Sequence, residues 1–218
     1  MRRSYHNRVT DAVLDLLAPG PYHCFACRRE AVVDTEGLCE ECREQILLYP
    51  SPSCLQPLDG LFIGLQYTEP IKHAILSMKM HGNRQFAPFL AQYLSVPKEW
   101  KADILVPVPM HPARRFLRGM NHSELLTQYL SVQEDLPYSS ALLLKSRYTF
   151  GQKRILDPAA RRRNIRNSFT ADPACKGLRI VLVDDIFTSG ATVYECAKTL
   201  KCAGAARVYA CCVASRKH

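Results

Sequence analysis

Three stretches of this chain are strand-like and nearly unbroken in apolar residues: "ADILVPVP" (102–109), "RIVLVDD" (179–185) and "RVYACCVAS" (207–215). A strand that is apolar on both faces must be covered on both faces, and the arrangement that does this is a parallel sheet sandwiched by helices. The intervening segments supply those helices. "PIKHAILSMKM" (70–80) places Ile71, Ile75 and Met78 at helical spacing behind a first-turn proline, and "ATVYECAKTLKCAG" (191–204) closes on Gly204. Segments 84–95 and 121–131 carry the same periodicity, and Asp157–Pro158 gives a cap-then-proline start to a helix over 157–169. "LFIGLQY" (61–67) and "ALLL" (141–144) read as further strands. The predicted fold class is α/β, a parallel sheet flanked by helices.

Ahead of this pattern stand "CFAC" (24–27) and "CEEC" (39–42). Each C-x-x-C pair folds as a tight knuckle, and two knuckles offer four thiolates to one tetrahedral zinc ion. Cys24, Cys27, Cys39 and Cys42 are therefore the predicted ligands of a structural zinc. A closed four-sulfur site has no open position for chemistry, so this metal folds a small zinc-ribbon-like module. His23 reads as a bystander and Cys54 as unpaired. Cys196, Cys202, Cys211 and Cys212 fall inside predicted helix and strand and read as small core residues. "YPSPSCLQPLDG" (49–60) has the composition of a linker. The expected division is a helix and zinc module over 1–50 and the α/β domain over 58–218.

The 29 Lys and Arg against 20 Asp and Glu give a formal charge of +9, which favours an anionic partner. Phosphorylated small molecules, nucleic acid and a membrane surface all satisfy that charge. No stretch approaches the roughly 20 apolar residues that span a bilayer, so no membrane insertion is expected. Asp11 and Asp15 interrupt the apolar part of the N-terminal segment, which reads as an amphipathic helix bearing Val13, Leu14 and Leu17, and the expected location is cytoplasmic.

The pair Asp184–Asp185 ends the central strand, and in an open parallel sheet ligands bind beyond the carboxyl ends of strands. The next residues, "TSGAT" (188–192), lead into a helix whose N-terminus attracts phosphate. Gly190 lets the backbone approach, and Thr188, Ser189 and Thr192 add hydroxyl donors. Two carboxylates beside such a loop face a sugar diol or a hydrated magnesium ion, not the phosphate itself. A ribose 5-phosphate satisfies the whole stretch.

The segment "VLVDDIFTSGAT" resembles the signature of the type I phosphoribosyltransferases, which bind phosphoribosyl pyrophosphate (PRPP). "ILVPVPMHPARRFLRGMN" (104–121), "RYTFGQKR" (147–154), "RRRNIRNSF" (161–169) and the four-cysteine module resemble the ComF family of competence-type, phosphoribosyltransferase-like proteins. The resemblance implies that Asp184 and Asp185 hold the ribose and residues 188–192, including Ala191, the 5-phosphate. It places the pyrophosphate loop at Val108 and Pro109, with Arg114 and Arg118 as pyrophosphate ligands. Lys79, in "MKMHG", is similar to a lysine-containing segment of the family and joins the expected PRPP site. Met120 and His122 depart from the family's residues around Asn121, and Ser189 replaces a threonine. Thr188 stands where the 6-oxopurine enzymes carry an acid, so purine salvage is not implied.

Two classes of function follow from the resemblance. One is a magnesium-dependent transfer of phosphoribose from PRPP to an acceptor, with Asp184 and Asp185 at the reacting sugar. The other is a non-catalytic module or PRPP sensor in DNA uptake, contacting single-stranded DNA or other competence proteins. The basic residues with Tyr148 and Phe150 interleaved suit phosphate tracking and base stacking.

Overall fold

In the computed structural model, residues 22–50, 56–81, 84–148 and 163–216 are described. The expected N-terminal helix, Cys54 and the predicted helix start at 157–158 lie outside them.

Four parallel strands form the central sheet: β3 (Gly60–Gln66), β4 (Ile104–Pro107), β7 (Arg179–Phe187) and β8 (Arg207–Ser215), in the order β3-β8-β7-β4. Ile104 lies opposite Ile180, Val181 opposite Tyr209 and Leu65 opposite Ala214. Alternation along β7 divides the core. Val181 and Val183 join one buried cluster, with Leu105, Cys211 and Val213, while Ile180 and Leu182 join the other, with Val106, Val208 and Ala210. The first face is covered by α2 (Glu69–His81), α3 (Phe86–Ala91) and α5 (His122–Glu134), through Ile71, Ile75, Met78, Leu90, Leu126 and Leu130. The second is covered by α6 (Ala191–Cys202), through Val193, Cys196, Ala197 and Leu200. Each fully buried aliphatic side chain contributes about 1.5–3 kcal/mol of transfer free energy, which is what both-sided burial of the apolar strands gains.

The cysteine module contributes a two-stranded antiparallel ribbon, β1 (Tyr22–His23) with β2 (Glu30–Ala31), and the short α1 (Glu40–Glu44). A second antiparallel ribbon, β5 (Leu143–Lys145) with β6 (Phe169–Ala171), stands apart from the sheet.

Several elements differ from the sequence expectation. The helix predicted over 84–95 is helical only over Phe86–Ala91. The chain then turns so that the Tyr93 carbonyl lies against β3, where a Cβ on Gly64 would come within 2.1 Å of it. α4 (Pro112–Arg118) was not expected. Its two large apolar residues, Phe116 and Leu117, are adjacent and exposed, so no helical period marks it. The His111 ring accepts the Ala113 amide at its start, and Gly119 ends it at a φ of 74°. β7 runs two residues past the expected end, because Ile186 and Phe187 still pair with Ala214 and Ser215. Cys196, Cys211 and Cys212 are buried as expected, whereas Cys202, at the last turn of α6, is exposed.

Candidate functional site

The alternation that divides the core also separates the two acids. Asp185 follows the parity of Val181 and Val183 to the α2–α5 face, is only 7% exposed, and meets Lys79 from the end of α2, with Nζ 2.7 Å from Oδ2. Asp184 has the opposite parity and is half-buried. Its Oδ1 accepts from the Ser123 hydroxyl at 2.8 Å and from the Asp185 amide at 2.9 Å. Burial, and after it the charge of Asp185, pushes the Asp184 carboxyl up to about 7, with Lys79 and the Ser123 bond opposing. His122, 1% exposed at the start of α5, is drawn below the usual histidine range by burial, against the pull of Asp185.

Residues 188–192, the expected 5-phosphate loop, occupy the turn between β7 and α6. Gly190 sits at a φ of 75°, and a Cβ there would come within 2.5 Å of the Tyr194 ring and 2.8 Å of Phe187. Only glycine lets this turn lie flat against both rings. Its carbonyl accepts the Tyr194 amide at 2.8 Å, starting the helix. Ser189 Oγ lies 3.4 Å from the Ala191 amide, Ala191 is buried, and Thr188 and Thr192 are half-buried at the rim.

At the end of β4, the Val108 amide donates to Val183 O at 2.9 Å and the Val108 carbonyl accepts from Asn121 Nδ2 at 3.2 Å. Both backbone groups of Val108 are thus committed. Asn121, the last residue of "RGMN", pins the turn rather than facing outward. The turn continues through Pro109 to α4, where the two expected arginines part. Arg114 is half-buried with its guanidinium 5.4 Å from the Tyr148 ring centroid, while Arg118 is exposed and its charge bears on His122. Arg115, between them, pairs with Glu124 at 3.1 Å.

Sequence reasoning missed two members of this cluster. Ser123 stands two residues past the "RGMN" motif and is recognisable only from its bond to Asp184. Lys145, on β5, precedes the "RYTFGQKR" segment by one residue. Burial, and then the neighbouring charge of Arg114, lowers its ammonium to about 8, with Asp184 pulling the other way. Its Nζ lies 5.2 Å from the Phe169 ring. A cavity of about 490 Å³ opens between the 107–112 turn and the β5–β6 ribbon, lined among others by Pro109, His111, Asn121, Lys145 and Thr170. Its volume is that of a small-molecule site. Arg147 donates to the carbonyls of Asn164 and Arg166 at 3.0 and 2.7 Å, so Asn164 serves this ribbon through its backbone. Arg161 lies outside the described residues.

The four cysteine sulfurs all lie within 4.8 Å of one another. Cys27 and Cys39 are 3.9 Å apart, close to the roughly 3.8 Å expected for two thiolates sharing a tetrahedral zinc at about 2.3 Å. Burial raises the Cys27 thiol, but the amide and side chain of Arg29, with the neighbouring cysteines, bring it down to about 6. Burial raises Cys42. The donor set fits the structural zinc predicted from the knuckles. No described helix is long and apolar enough to cross a membrane.

A parallel sheet with two acids at its central carboxyl end, a glycine-bearing loop into a helix and a four-sulfur module ahead of it define a type I phosphoribosyltransferase-like protein. Residues 80–218 match the phosphoribosyl transferase domain. The DNA utilization protein YhgH of Salmonella typhi is 30% identical over 88% of this chain and 96% of that protein. Competence protein F of Haemophilus influenzae is 28% identical over 83% and 91%. Competence protein ComFC of Bacillus subtilis is 26% identical over 88% and 83%. Among solved structures, one described as the allosteric regulatory enzyme of purine biosynthesis matches 58% of this chain and 24% of its own at 26% identity, with a TM-score of 0.38. The chain belongs to the ComF family of phosphoribosyltransferase-like proteins.

Proposed function

We propose that this chain binds PRPP with magnesium at the carboxyl ends of β4 and β7, and serves DNA uptake from the cytoplasm. One observation carries the reading: Asp184, on the strand that leads into the 188–192 loop, and Arg114 both bear on the charge of Lys145, and Lys145 lines the cavity. Both hydrogen bonds to Asp184 fall on Oδ1, so Oδ2 is the atom we assign to a ribose hydroxyl. Asp185 is engaged by Lys79, and its part is to hold that lysine at the site's edge. The turn of Gly190 and the N-terminus of α6 receive the 5-phosphate. Val108, its backbone committed, supports the pyrophosphate turn of Pro109, and Arg114 supplies a planar fork to its oxygens. Arg118 stands farther out on α4 as a second cation.

In the transferase form of this reading, the C1–oxygen bond of the ribose breaks, its electron pair leaves with pyrophosphate, and an acceptor nucleophile attacks C1. Magnesium, when bound with PRPP, neutralises the leaving group. The chain's own share is positioning and charge stabilisation. The cavity against Lys145 is the proposed place of the acceptor. The names of the relatives, a DNA utilization protein and two competence proteins, support DNA uptake as the biological setting, with other competence proteins as partners.

Calorimetry with PRPP and magnesium tests the site: wild type binds and Asp184→Ala plus Asp185→Ala does not. Equal affinity in the two proteins removes the assignment. Pyrophosphate release with a panel of amine and nucleobase acceptors tests turnover.

A second reading, single-stranded DNA as ligand, is favoured by α4. Phe116 is 89% exposed between Arg118 and Arg115, the latter paired with Glu124, a stacking surface flanked by cations. DNA binding that survives loss of the two acids and weakens steeply with salt supports it.

A further inference from the structure

The cysteine module does not stop at its own ribbon. Cys24, Ala26, Leu38, Cys39 and Cys42 belong to the same buried cluster as Ile71, Ile75, Met78 and Phe86 of the α/β domain. The contact is made by Phe25, the residue that follows Cys24 on the first knuckle. Its ring lies 3.8 Å from that of Phe86 and edge-on to Phe89 at 5.8 Å, both on α3. Phe86 in turn meets His73 of α2 edge-on at 6.1 Å, and the Arg28 guanidinium covers it at 5.9 Å. A polar link runs in parallel. Glu36 accepts from Arg43, beside Cys42, and from Gln92 and Tyr93 just past α3. α2 is the helix that carries Lys79 to Asp185.

The knuckle that aims Phe25 is closed by two turn bonds, Cys24 N–H to Arg29 O at 2.8 Å and Arg28 N–H to Cys24 O at 2.9 Å, and by the clustered sulfurs. The ribbon is two residues on each side, and the Phe25 amide donates to Gly37 O at 2.7 Å within the same small module. A unit of this size has no core of its own, so its geometry depends on the metal that four thiolates share.

We propose that Phe25 is a positioning residue for the phosphoribosyl site: zinc fixes the knuckle, Phe25 wedges α3, and α3 sets α2 so that Lys79 reaches Asp185. The inference rests on the PRPP reading for its binding readout and on none of it for its structural one. Metal occupancy would then tune a site formed by elements outside the metal module, through packing alone.

The test uses the full zinc-loaded chain with Phe25→Ala, which keeps all four cysteines and whose zinc content is checked by elemental analysis. Hydrogen exchange read by mass spectrometry is expected to show faster exchange across Glu69–His81, with β7 and β8 unchanged. PRPP affinity is expected to fall about tenfold, the size of an ordinary coupling between sites. Phe25→Leu, which refills the space, restores both. In a double-mutant cycle, Phe25→Ala adds little in a Lys79→Met background, because both act through one ion pair. Unchanged exchange over α2, equal loss of protection in β7 and β8, or strict additivity with Lys79→Met each overturns the proposal. If wild type does not bind PRPP, the functional reading fails while the exchange comparison still decides the role of Phe25.

Discussion

Lys79 Nζ and Asp185 Oδ2 stand 2.7 Å apart, an ion pair between the end of α2 and the end of β7 with both side chains mostly buried. Its two residues are 106 positions apart in a 218-residue chain. Such a pair couples helix to sheet at the mouth of the site, and its partners are costly to separate. Lys79→Met leaves a buried carboxylate without its cation and is expected to lower stability by about 3 kcal/mol. Asp185→Asn in the same chain should recover most of that loss. Urea denaturation of wild type and the two variants measures it. A loss that the second substitution fails to recover contradicts the pairing.

Asp184 gives a pH dependence with a definite sign. Its folded carboxyl is held at about 7, against about 3.9 in the unfolded chain. Between those values the native state binds more protons, so stability is present at low pH and is lost as pH rises through 7. The loss amounts to a few kcal/mol at most, since each pH unit carries about 1.4 kcal/mol. Thermal unfolding from pH 5 to 8 should show this slope in wild type and a shallower one in Asp184→Asn. PRPP affinity should move the opposite way and tighten through pH 7, as the carboxylate becomes the better acceptor for a ribose hydroxyl.

Gly190 is held between two rings at a left-handed φ. Gly190→Ala both strains that backbone, at about 1–3 kcal/mol, and pushes Tyr194 and Phe187 off the loop. Lower melting temperature together with weakened PRPP–magnesium binding is expected. Undiminished binding in the variant would detach the loop from the phosphate.

Removal of zinc should act on the whole protein. Elemental analysis is expected to give one zinc per chain, and Cys42→Ser, at a buried ligand position, should lower that content. The melting temperature should fall by about 5–10 °C. A metal-free wild type with an unchanged transition would refute the structural metal.

Much of the sheet was legible because β4, β7 and β8 are buried on both faces, and continuous apolar runs admit few other structures. The knuckles were legible for a similar reason: thiol spacing is a local property. α4 was not legible, since its apolar residues face outward and its start is made by a histidine ring and a proline. Cys202 was misread because a cysteine's burial depends on which side of α6 meets the sheet.

By itself the sequence determined the parallel sheet, the four-thiol module and the position of two acids near the carboxyl end of a central strand. These follow from short-range periodicity and spacing. Only the tertiary structure decided that the acids part, Asp185 to Lys79 and Asp184 to Ser123 beside Lys145, and that Phe25 joins the metal module to α3. Such contacts join residues 39 to more than 100 positions apart, and no local pattern encodes which buried side chains a folded chain brings together.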